Sequence, residues 1–419
     1  MNLDFLNSKH VGIAQLEVAF PEKEFQERLK KVQDVMKREG IDTLYLTSPE
    51  SMYYLTGYNA CWYKAAAPEP WQEVMATGVA VNASCNQPML FDIPDEEDVA
   101  YTTTVGAKIK IINDIPGSEM YGKEFQYEAS ENKGFLDLVV DILSGEGWTK
   151  GVVGLELGCY RPNPRVSQML RTKLENQGSK IMDGTKVVQE VRTIKSPLEM
   201  YYIEVASRIA DIGYKAAFDA TEPGITELEL HGIMTLAMQK AGGENAGLLN
   251  PIRSGVRSSS FHLPTSRKRV MYGDRINIDL CGVYNRYHSN LARYYCIGKP
   301  DKKFEYLYNT GVEAMHLIKE ILTPNMLVKE LMDKIKKFYV DKGVWEHKYW
   351  VGGYELGIAF PPDWVGSYVY DPDEEIGDDR FMPGMVVNFE NGFGLIDTVV
   401  FTEIEAKILG ETPWELQII

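Results

Sequence analysis

At 419 residues, with 44% hydrophobic and 25% charged side chains, the chain has the make-up of a soluble globular protein long enough to fill two cores. A formal net charge of -16 argues against a broad nucleic-acid or anionic-membrane surface, since both depend on basic patches. Five cysteines without paired spacing (Cys61, Cys85, Cys159, Cys281, Cys296) fit reduced thiols, and the opening MNLDFLNSKH has no basic segment followed by an apolar run; the expectation is a cytoplasmic protein with no membrane or nucleic-acid partner.

FQERLKKVQDVMKREG (25–40) carries apolar residues at helical spacing and stops on Gly40, and TLYL (43–46) follows as a strand. VMATGVAVN, PMLFD and GVVGLEL read as further strands, and FLDLVVDILSGEG and RVSQMLRTKLENQG as helices. This alternation predicts an α/β domain over residues 1–190. Ser196, Pro197 and Glu199 then form a capping-box pattern, so a long helix starts near 197 and opens a second domain over 191–419. A second amphipathic helix (ELELHGIMTLAMQKAG), β-like runs around 268–297, two helical runs between 303 and 341, and β-like runs from 349 onward predict an α+β domain with a curved antiparallel sheet. The acidic DPDEEIGDD (371–379) lacks EF-hand spacing and reads as a solvated loop.

Of six histidines, His231 and His316 fall inside helical patterns. His262 differs: it sits in SSSFHLPTSRKRVMYGD, a polar segment with Pro264 and Gly273, where an imidazole can face a cleft. NIDLCGVYNRYHSNLARYY (277–295) sets Asp279 and Asn290 on two adjoining strands.

TGY (56–58), IKSPLEM (194–200), H-x-P-T-x-R (262–267), GD (273–274), ID-x-x-G-x-Y (278–284) and PGMVV (383–387) occur in an order that resembles the creatinase/aminopeptidase P family, whose fold is the "pita bread". In the metallopeptidase members two aspartates, a histidine and two glutamates hold two metal ions. Asp279 and Glu390 match two of these positions; Asn290, Tyr354 and Ile396 stand at the other three. The resemblance therefore implies no metal and no cofactor. RYHSNLARYYCIG and GYELGIAFPPDW are similar to the metal-free branch that includes creatinase and ectoine hydrolase.

That branch implies a metal-independent hydrolase acting on a non-peptide C–N bond, amidine or guanidino, in a small zwitterion. The catalytic residues would be His262, moving protons, with Glu390, Tyr287, His288 and Tyr354. Asp279, Asn290, Glu355, Trp364 and Asp397 would line the substrate, and Lys348 or Arg253 would anchor its carboxylate. Arg293 is a further cation, alternatively paired with a carboxylate behind the site. The aromatic loop TGYNACWYKAAAPEPWQE, with Trp62, Tyr63 and Lys64, would reach the partner's site in a homodimer. Two alternatives remain open: a lyase acting on a zwitterion such as dimethylsulfoniopropionate, and a metallopeptidase-like (Xaa-Pro) scaffold that only binds.

Overall fold

Short apolar runs between amphipathic helices produce a mixed sheet in the first half of the chain. The computed structural model describes residues 18–63, 72–93, 97–112, 133–373 and 376–419, and the chain divides into two units, Met1–Arg192 and Thr193–Ile419. In the first unit α1 (Glu22–Glu39) ends on Gly40 at φ 70°, a left-handed turn that glycine adopts without strain. Then come β1 (Thr43–Leu46), α2 (Pro49–Thr56), β2 (Gly78–Asn82), β3 (Met89–Asp92), α3 (Glu97–Thr103), β4 (Lys108–Ile111), α4 (Phe135–Gly145), β5 (Val152–Leu155), α5 (Pro164–Asn176), β6 (Lys180–Asp183) and α6 (Thr185–Thr193). The six strands run in the order β4-β3-β2-β1-β5-β6; β2 is antiparallel to both neighbours, and the other pairs are parallel. VMATGVAVN is only half strand. Glu73–Ala76 forms a 3-10 turn that buries Val74 and Met75, since an apolar run without alternation fits a packed turn as well as a strand.

The second unit begins with α7 (Pro197–Asp219), capped as its sequence predicts: Ser196 Oγ accepts from Glu199 N (3.3 Å) and Ser196 N donates to Glu199 Oε2 (2.7 Å). It continues through α8 (Glu227–Lys240), β7 (Ile252–Ser254), β8 (Arg275–Tyr284), β9 (Tyr287–Cys296), α9 (Lys302–Ile321), α10 (Val328–Asp341), β10 (Gly353–Tyr354), β11 (Val369–Tyr370), β12 (Val386–Glu390), β13 (Ile396–Phe401), β14 (Ala406–Ile408) and β15 (Gln417–Ile418). The main path of its sheet is β12-β13-β9-β8-β7, antiparallel throughout. Between 355 and 368 the expected β pattern gives way to loop, where Pro361, Pro362 and Gly366 interrupt it.

The period of two along β8 divides its residues between two environments. Ile276, Ile278 and Leu280 pack with Ile209, Tyr214, Leu230 and Met234 of α7 and α8, so Asn277 and Asp279 face the other way. Gly282 shares the helix-facing side. There α7 comes so close that a Cβ on Gly282 would lie 1.9 Å from the Ala206 carbonyl oxygen. Gly282→Ala should therefore destabilise the second unit by about 3 kcal/mol or more, read by urea unfolding; a loss under about 1 kcal/mol would show that α7 can move away freely.

Candidate active site

The face of the sheet turned away from α7 and α8 collects the polar side chains. Asp279 comes from β8, Asn290 from β9, Asn388 and Glu390 from alternate positions of β12, and Tyr354 from β10. A chain of side-chain hydrogen bonds joins them. Asn290 Nδ2 donates to Asp279 Oδ1 (3.2 Å) and to the Leu280 carbonyl (3.1 Å), while its Oδ1 accepts from Asn388 Nδ2 (3.2 Å). Asn388 Nδ2 also donates to Glu390 Oε1 (3.3 Å), and Asn388 Oδ1 accepts the backbone N–H of Tyr354 (2.8 Å). The two amides thus link the two carboxylates. Trp364 Nε1 donates to the Tyr354 hydroxyl (2.9 Å), whose own proton points toward Asn290 Oδ1 (3.5 Å), and the phenol also favours the charged form of Glu390.

A guanidinium closes the other side. Arg253, fully buried in β7, donates to Asn277 Oδ1 (2.6 Å) and to the Ser260 carbonyl (3.1 Å), and its Nη2 lies 3.6 Å from Asp279 Oδ2. Ser260 belongs to the segment that leads into His262. The exposed His262 ring is near enough for a positive charge on it to favour the ionised form of Asp279.

Removal from water raises the pKa of both carboxylates. Burial pushes Asp279 up, against the charge of Arg253 and the hydrogen bond from Asn290. Glu390 is pushed up to about 8, by burial first and by the Asp279 charge second, with Asn388 and Tyr354 opposing. Near neutral pH Glu390 therefore retains its proton. Burial also keeps the Tyr354 phenol well above its usual range, so it remains protonated.

Five expected site residues are held elsewhere. Tyr287 faces α7, where its hydroxyl donates to Glu199 Oε1 (2.7 Å), because odd positions of β9 point to the helices. His288 is sealed in: its Nε2 accepts the Gly247 N–H and its Nδ1 pairs with the Arg286 carbonyl, both at 2.9 Å. Burial and the Arg286 charge lower its pKa to about 3, so this ring stays neutral and has no proton to trade. Glu355 is bound to Lys195 at 2.5 Å, with both side chains buried, and to Ser367. Asp397 sits on the opposite face of β13 from Ile396, where Arg293 Nη2 (2.8 and 3.0 Å) and Trp414 Nε1 (2.7 Å) take its oxygens. Lys348 stacks its ammonium 3.9 Å over the Trp345 ring.

In the first unit, Trp62 is 48% exposed, and the Tyr63 hydroxyl bonds to Tyr58 O and Ala60 N. Lys64 lies outside the described residues. The sequence reading overlooked Asn388, although its place two residues before Glu390 on a strand puts both on one face. It also overlooked Glu227, a buried carboxylate of α8 that accepts from Ser254 (2.8 and 2.9 Å), Arg257 (3.2 Å) and Ser266 (2.7 and 2.9 Å). These bonds secure both ends of the segment that carries His262.

Residues 28–194 match the Creatinase/Prolidase N-terminal domain, and residues 202–409 match Metallopeptidase family M24. Ectoine hydrolase of Halomonas elongata is 24% identical over 96% of this chain and 99% of its own. A Xaa-Pro dipeptidase of Pyrococcus furiosus is 25% identical over 93% and 99%. The X-Pro aminopeptidase structure from Thermotoga maritima superposes with a TM-score of 0.73 at 18% identity, over 93% of this chain and 99% of that one. The site's donor set does not fit the metal pair that the M24 name implies. Asn290 turns N–H hydrogens, not lone pairs, toward Asp279, and Ile396 has no donor. Among the described residues no group of three or more His, Cys, Asp or Glu could hold an ion. The two domain matches span most of the sequence and the fold agrees with them: this chain belongs to the creatinase/aminopeptidase P family.

Proposed function

We propose that this member of a hydrolase family cleaves a non-peptide C–N bond in a small zwitterion that carries an amidinium or guanidinium group. One observation carries the reading: two mostly buried carboxylates share a site in which Glu390 is raised to about 8. A planar cation between them would offset that burial and return Glu390 to its ionised form. A peptide carbonyl offers no such charge. An amidinium carbon is already electron-poor, so water can add to it with help from an acid/base group alone. His262 takes a proton from the attacking water. The C–N bond of the tetrahedral adduct then breaks with its electron pair on nitrogen, which takes the proton back from His262, and the proton left on the adduct hydroxyl passes to the departing amine; an amide (a urea, from a guanidinium) and an ammonium ion leave.

Of the three cations considered as carboxylate anchors, only Arg253 borders the cluster; Lys348 is stacked on Trp345 and Arg293 is held by Asp397. Arg253 is thus the proposed anchor. In the proposed homodimer, the half-exposed Trp62 is the aromatic residue offered to the partner's cleft.

The reading is tested with a panel of guanidino acids, cyclic amidines and Xaa-Pro dipeptides, scored by thermal shift and product formation. A zwitterion with a planar cation should raise the melting temperature and be hydrolysed, and His262→Ala should lower its kcat by roughly 10²–10⁴-fold with little change in KM. Cleavage of dipeptides on addition of manganese or cobalt, with no turnover of amidines, would overturn it.

The pKa of Glu390 gives a second check. Its folded pKa is raised above the unfolded value, so its contribution to stability is fully present below about pH 4.5 and is lost as the pH rises through about 8. Glu390→Gln, neutral and of the same shape, should remove this part of the decline in unfolding free energy between pH 6 and 9. An unaltered pH profile in the variant would show that Glu390 titrates normally. By the same linkage a bound cation displaces the proton, so the affinity of wild-type protein for the active zwitterion should rise from pH 6 to 8, and that of Glu390→Gln should not.

A further inference from the structure

A cavity of about 210 Å³ opens beside the start of β8, and its polar lining is mainly basic: Arg275, Lys303 and His347, with the single carboxylate of Asp301. Asp301 Oδ1 is occupied in capping α9, where it accepts from Lys303 N and Phe304 N at 3.0 Å each. Arg275 is half-buried, yet its hydrogen bonds go to the neutral hydroxyls of Ser258 (2.9 Å) and Ser259, and its charge rests 4.8 Å from the centroid of Phe304. Among the described residues no carboxylate pairs with Arg275, Lys303 or His347. In a chain of net charge -16 the usual fate of a half-buried guanidinium is an acidic partner, and here the space where one would sit is an aromatic-walled cavity. The walls are Phe304, Tyr349 and neighbouring rings, a surface that suits a flat apolar body behind an anionic head.

We propose that this cavity is a second binding site, for a small aromatic carboxylate, with Arg275 as its principal anchor and Lys303 assisting at the rim. It is separate from the Asp279–Glu390 cluster: Arg275 precedes Asp279 by four residues on one strand, a distance of roughly 13 Å. It is also physically connected to the His262 segment. Arg275 holds Ser258 and Ser259, and Tyr349 packs edge-on against Phe261 with centroids 4.6 Å apart. An occupant that engages Arg275 and Tyr349 therefore bears on the residues leading into His262, as an effector would.

The test is calorimetric titration of the full chain with phenylacetate, acetate, inorganic phosphate and, as a cationic control of similar shape, benzylamine. Phenylacetate should bind one per chain with a dissociation constant at or below about 1 mM, and benzylamine should not bind. Arg275→Gln should weaken phenylacetate by about tenfold or more, the loss expected when a charge-assisted hydrogen bond is removed. The exposed Lys303→Gln, which leaves the Ser258 and Ser259 contacts in place, should weaken it several-fold, so the site can be judged even if Arg275→Gln disturbs folding. Glu390→Gln should leave the affinity unchanged, which separates this site from the catalytic proposal. Phenylacetate binding that survives both cavity substitutions, binding of phosphate without phenylacetate, or no binding of any anion would each overturn the assignment.

Discussion

Two carboxylates turned to one face of the sheet, from β8 and from β12 with β9 and β13 between, and shielded from water repel each other, and every other feature of the site answers that repulsion. Asn290 and Asn388 direct amide hydrogens at Asp279 and Glu390, Arg253 brings a full positive charge to the far side of Asp279, and a proton is retained on Glu390. None of these is sufficient alone, as the pKa values of both acids remain raised. The remaining imbalance is what a cationic ligand would correct.

The scaffold around this cluster is secured by buried ionic and hydrogen-bonded groups. Lys195 and Glu355 tie the approach to α7 to the strand that presents Tyr354; Arg293 and Asp397 lock the rear of the sheet; Glu227 fastens the His262 segment. Each buried pair costs desolvation, and each fixes one element in one position. The rigid sheet face and the polar loop carrying His262 are thereby joined at defined points, as the proton-transfer role proposed for His262 requires.

Much of this was legible in the sequence because it depends on short-range rules. The Ser196–Glu199 capping box, the Gly40 stop and the alternation of β8 each follow from residues within one turn or a few strand positions. Asp279, Asn290, Tyr354, Trp364 and Glu390 were implied by the resemblance to the creatinase/aminopeptidase P family, and the fold brings them together. What spacing could not resolve was parity and partner choice. Tyr287 and Asp397 each lie one residue away from a site-facing position, and in a strand one residue means the opposite face. His288 has the same parity as Asn290, but the backbone of residues 247 and 357 covers it, a contact between segments distant in sequence. Among the arginines and lysines, nothing local distinguishes Arg253, whose importance comes only from the strand that sets it beside Asp279.

The side-chain amide of Asn290 has a further consequence. An amide and a carboxylate are nearly the same shape, so exchanging one for the other alters the charge of a site by one unit and leaves its strands, register and packing in place. Asn290 thus changes what this face of the sheet can hold, together with Tyr354 and Ile396, while the strands that carry it keep their places. At this position shape and charge are set separately, the first by the outline of the side chain and the second by its terminal atoms.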